Sequence, residues 1–74
     1  MDCRNLRAEM VRNGISRKQV GIAVGLGTSS IDSRFQGRTD FKVGELVKIR
    51  DTFFPNCTLE YLAGFTDYTD ERGR

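Results

Sequence analysis

The chain has 74 residues, 38% of them apolar and 30% charged, and carries a net charge of +2. This is one globular domain with a small core and modest stability. No apolar stretch approaches the ~20 residues of a membrane span, and MDCRNLRAEM lacks the apolar region of a signal peptide, so a cytoplasmic protein is expected.

The spacing of apolar residues predicts helices nearly throughout. Asp2 is the expected cap of a first helix ending near Arg12, with Cys3, Leu6 and Met10 on one face at i, i+3 and i+7 and Val11 widening it. Asn13-Gly14 stops it. The second helix begins at a capping box, Ser16 with Gln19 three residues on. Ile15 and Val20 form a hydrophobic staple across that start. Val20, Ala23 and Val24 face inward, and Gly25 ends the helix.

A third helix is predicted over 28–36, after a break of only three residues. Ile31 and Phe35 share one face. At about 100° per residue, Ser29, Ser33 and Gln36 occupy the opposite face. The helix is thus apolar behind and lined with small hydrogen-bonding groups in front. Gly37 ends it, and residues 38–42 (RTDFK) form a loop. A fourth helix over 42–53 turns Val43, Leu46, Ile49 and Phe53 inward, and Pro55 prevents its continuation. A short fifth helix runs from its cap Thr58 to Ala63, with Leu59 and Leu62 inward. No strand is predicted, although the tail after Gly64 has a composition able to pair as one in a dimer. The fold class is all-α, a compact bundle of about five short helices over residues 1–64, with a partly mobile tail over 65–74.

Chemistry is sparse. There is no histidine, and the two cysteines, Cys3 and Cys57, form neither a disulfide framework nor a Cys-x-x-Cys pair. No metal, no cofactor and no catalytic residue is expected, and GLG here is a turn rather than a nucleotide fingerprint. Charge is unevenly spread. Residues 1–50 hold ten Lys/Arg against five Asp/Glu, and residues 51–74 hold two against five. That asymmetry suits either a face that meets a polyanion or ordinary solvated surface.

Two short helices joined by a tight glycine turn read as a helix-turn-helix, whose second helix enters the DNA major groove. Small Ser and Thr side chains allow close approach to base edges, which they contact as donors and acceptors. The stretch SRKQVGIAVGLGTSSIDSRFQG resembles the helix-turn-helix of the phage repressor and Cro (XRE-type) family. Val20, Val24, Leu26 and Ile31 match its apolar positions, Gly21 its small residue and Gly25 its turn glycine. FPNCTLEYLAG is similar to the fifth helix of small regulators of this type, so the resemblance covers about residues 3–64.

The resemblance implies a lambda-repressor-like fold and a sequence-specific transcriptional regulator of phage or prophage type. Thr28, Ser29, Ser33 and Arg17 match base-reading positions. Arg17, Ser30, Gln36, Arg38 and Lys42 match or flank phosphate-binding ones. The plainer alternative is an N-capping turn with exposed serines and solvated basic side chains. A homodimer on a two-fold operator is expected, with Tyr61, Phe65 and Tyr68 as its surface unless those aromatics are simply core. The rival function keeps this fold but binds and modulates a phage repressor protein. Two departures from the family pattern stand out. Arg34 and Arg50 occupy positions that are usually apolar. Met10 and Phe35 replace an Arg–Glu pair found in some relatives and are expected to touch.

Overall fold

The computed structural model describes residues 1–65 as five helices, α1 (Arg4–Asn13), α2 (Arg17–Val24), α3 (Thr28–Phe35), α4 (Val43–Phe53) and α5 (Leu59–Leu62), with no strand among them. Three of the starts have a local cause in a side-chain cap. Ser16 Oγ accepts from the Gln19 amide at 3.1 Å, while Gln19 Oε1 accepts from the Ser16 amide at 2.8 Å, completing the capping box. Thr58 Oγ1 accepts from the Tyr61 amide at 3.1 Å and opens α5. The cap of α1 is Cys3 rather than Asp2. The Asp2 carboxylate still accepts from the Arg4 amide at 2.9 Å, so it satisfies a free helix donor from one position further out.

The helices close on one core. α2 packs against α3 and α4, and α5 packs against α4 and α1. Leu6, Val20, Ile31, Ile49 and Leu62 are its fully buried side chains, one from each helix. Cys3, Met10 and Phe35 join the same cluster, and Ile15, Val24, Leu26 and Leu59 pack against it half-buried. Met10 and Phe35 are thus both core residues. The Phe35 ring also meets Phe41 edge-on, with centroids 5.4 Å apart.

Two inward assignments are corrected. Val11 and Val43 are exposed, whereas Phe53 packs half-buried against the core. In their place the core takes Phe41, from the loop before α4, and Phe54, from the turn after it. Helical periodicity cannot register either residue, because neither lies on a helix.

Glu9 is the one buried charged residue among those described. Its Oε2 accepts from the Tyr61 hydroxyl at 2.8 Å and from Arg12. Asn5 Nδ2 donates to the Tyr61 carbonyl at 2.8 Å. These bonds join α1 to α5 across more than fifty residues of chain. Burial and the acceptor on its hydroxyl push the Tyr61 phenol above its ordinary 10.0, so it remains a donor.

Candidate nucleic-acid interface

The junction between α2 and α3 begins with a close approach. A Cβ on Gly21 would lie 2.9 Å from the Leu26 carbonyl oxygen, nearer than a real side chain tolerates. The Leu26 amide donates back to the Gly21 carbonyl at 2.8 Å. Gly25, at φ 75°, turns the chain between them in the left-handed region where an L side chain is strained. Only three residues separate the end of α2 from the start of α3.

Behind α3, Ile31 and Phe35 are buried. In front, Thr28, Ser29, Ser30 and Gln36 are exposed, and Ser33 is half-buried. The chain after α3 turns back to close the C-terminal end of the helix. The Ser33 carbonyl accepts from the amides of Arg38 and Thr39 at 3.0 and 3.4 Å. Arg38 and Lys42 are exposed on that returning loop. The hydroxyl face is therefore open along its first turn and half-buried at Ser33.

Two arginines frame α3. Arg34, on α3 itself, lays Nε and Nη2 on the two oxygens of Glu45 at 2.9 and 3.1 Å. These side chains are only 11% and 15% exposed. Glu45 Oε1 also accepts from the Lys42 amide at 2.9 Å, capping α4. Burial alone would raise the Glu45 carboxyl. The Arg34 donors, the Lys42 amide and the positive charge of both residues outweigh it and hold the group below its ordinary 4.5. Arg34 is thus nearly buried together with its own carboxylate partner. The other unexpected arginine, Arg50, stays half-buried and pairs with its neighbour Asp51 at 3.0 Å.

On the opposite flank, Arg17 Nη1 donates to Asp32 Oδ1 at 3.1 Å, with side chains 44% and 39% exposed. The Arg17 guanidinium lies 5.1 Å from the centroid of the Phe35 ring, a cation–π arrangement. Arg7 approaches the same ring at 5.9 Å and donates to the Phe35 carbonyl at 2.7 Å, at the negative end of α3. Sequence reasoning singled out neither Asp32 nor Glu45. The only available signal was an i, i+4 relation of Asp32 to Thr28 and a Glu three residues after Lys42.

No known family matches the chain, and neither a curated protein nor a solved structure is significantly similar to it. Among the described residues, no helix is long and apolar enough to cross a membrane.

Of the three aromatics expected on a partner surface, the structure removes one. Tyr61 is buried and committed to Glu9, because its ring completes the core and its hydroxyl has a buried acceptor. Phe65 is 77% exposed, near the exposed Val43 on the rim of an apolar groove of about 160 Å³ between α4 and α5. Tyr68 lies outside the described residues, as does most of the tail for which mobility was expected.

Proposed function

We propose that this chain is a sequence-specific DNA-binding regulator of the phage repressor type, with α2, the glycine turn and α3 acting as a helix-turn-helix. What supports the reading above all is that α3 spends only Ile31 and Phe35 on the core and leaves Thr28, Ser29 and Ser30 exposed on its first turn. In this reading α3 lies in the major groove with that turn towards the base edges. Ser33 contributes at the edge of the face. Arg17, Gln36, Arg38 and Lys42 set the register through phosphates, which carry affinity but no sequence information directly. A single small domain binds weakly, so two copies occupy half-sites about 34 Å apart, with Phe65 at the contact between them, and the complex works in the cytoplasm.

Association with duplex DNA should weaken steeply with added salt. Arg17→Ala should reduce the slope of log K against log salt by about one. Footprinting across the DNA next to its own gene should protect paired sites. The alternative, a modulator that binds a phage repressor protein, draws on the low net charge of +2 and on the carboxylate of Asp32 at the same face. It requires negligible DNA affinity at every salt concentration together with co-purification of a larger repressor.

A further inference from the structure

Asp32 is out of place if α3 simply meets a polyanion. It stands one turn after Thr28, on the side of α3 facing α2, at the rim of a groove of about 380 Å³ between the two helices. A carboxylate there is repelled by phosphates within a Debye length of about 10 Å. The fold gains little in return, because an exposed arginine–carboxylate pair contributes little to stability. What the carboxylate does is hold Arg17. That side chain starts at the first residue of α2, passes over the Phe35 ring at 5.1 Å and is met at its tip by Asp32 Oδ1 at 3.1 Å. A ring below and a carboxylate at one nitrogen leave a planar fork with few orientations. A guanidinium has five N–H donors, and the bond to Asp32 engages only Nη1.

We propose that Asp32 is a positioning residue that aims Arg17 so that its remaining donors meet the O6 and N7 acceptors of one guanine in the major groove. The inference rests on the DNA reading above and deepens it, since it assigns Arg17 to a base rather than to the phosphates alone. Arginine suits this edge because its fork matches the two guanine acceptors. A rotating, unheld side chain would spread the same donors over phosphates and neighbouring bases. Asp32 also subtracts from attraction to DNA in general. Both effects move in one direction: less binding to arbitrary sequence and more discrimination at one base pair.

The test begins with duplexes selected from a random pool by the full chain. Wild type, Asp32→Asn, Arg17→Ala and the double variant are then titrated against the selected duplex, a version with the required guanine replaced, and a scrambled duplex at one salt concentration. Asp32→Asn should bind the scrambled duplex about twofold to threefold more tightly. It should lose about tenfold in discrimination at the guanine, within the range expected for one bidentate contact. In the Arg17→Ala background Asp32→Asn should leave discrimination unchanged, which a purely structural role for Asp32 would not produce. Asp32→Ser serves in the same comparison if Asp32→Asn fails to melt cooperatively. If removing the carboxylate changes affinity for all three duplexes by one common factor, Asp32 is only a surface charge and the inference is overturned while the DNA reading stands. If no duplex is selected at all, both fall.

Discussion

On one flank of α3 an arginine grips both oxygens of a carboxylate that is nearly out of solvent; on the other an arginine touches one oxygen of a carboxylate that is well exposed. The chemistry of the two pairs is the same. Their surroundings assign them different work. Arg34 and Glu45 tie α3 to the start of α4, and neither charge can be left alone without a large penalty. Arg17 and Asp32 sit where water reaches both, so little stability rests on their bond, and the Arg17 donors that Asp32 does not engage stay open. In the proposed reading, the nearly buried pair braces α3 and the open pair leaves Arg17 donors for a partner.

Phe35 is a buried core residue of α3 that also carries the Arg17 guanidinium, so its loss should be the most damaging. Phe35→Ala should cost ~3–5 kcal/mol in denaturant unfolding. A change below ~1 kcal/mol would remove Phe35 from the core. Next comes Glu45→Gln, which leaves the nearly buried Arg34 without a counter-charge and should destabilise by about 3 kcal/mol. Adding Arg34→Met to it should restore part of that loss, since an apolar side chain replaces an orphaned charge. A double variant less stable than Glu45→Gln alone would break the comparison.

The Glu45 carboxyl is lowered in the folded chain, so its contribution is fully present above the ordinary 4.5 and is lost as pH falls through the folded value. Acid unfolding of wild type should therefore include a component that Glu45→Gln lacks. Tyr61→Phe should cost about 1–2 kcal/mol, because it removes a donor from the buried Glu9 carboxylate while keeping the ring. Smallest of all, Asp32→Asn should shift stability by less than ~1 kcal/mol. A loss as large as that of Glu45→Gln would show that exposure does not separate the two pairs.

Much of the framework is legible in residues that act on their near neighbours. Ser16 with Gln19, Thr58 at the head of α5, Gly25 after α2 and the Ile31–Phe35 spacing each express an interaction within one or two turns, and each appears where the pattern places it. Asp2 missed by one position for a related reason: a carboxylate can reach a free amide from just outside the helix as well as from its cap. The open face of α3 was legible too, because small hydroxyl residues opposite Ile31 and Phe35 have nothing to pack against.

Other residues depend on partners far along the chain. Tyr61 reads as a surface aromatic on a terminal helix until Glu9 is beside it. Phe41 reads as loop until the Phe35 ring meets its edge, and Val43 reads as inward although it stands exposed on the rim of the groove between α4 and α5. Arg34 reads as an anomaly until α4 brings Glu45 to it.

By itself the sequence determined five helices, where they stop, and which side of the third is free of core duty, because capping, backbone freedom at glycine and helical period are local properties of a chain. Only the tertiary structure decided which charges are buried together and which remain in water. That outcome depends on how helices separated by tens of residues close on one another, and burial, unlike helical period, belongs to the whole assembly of side chains rather than to any stretch of it.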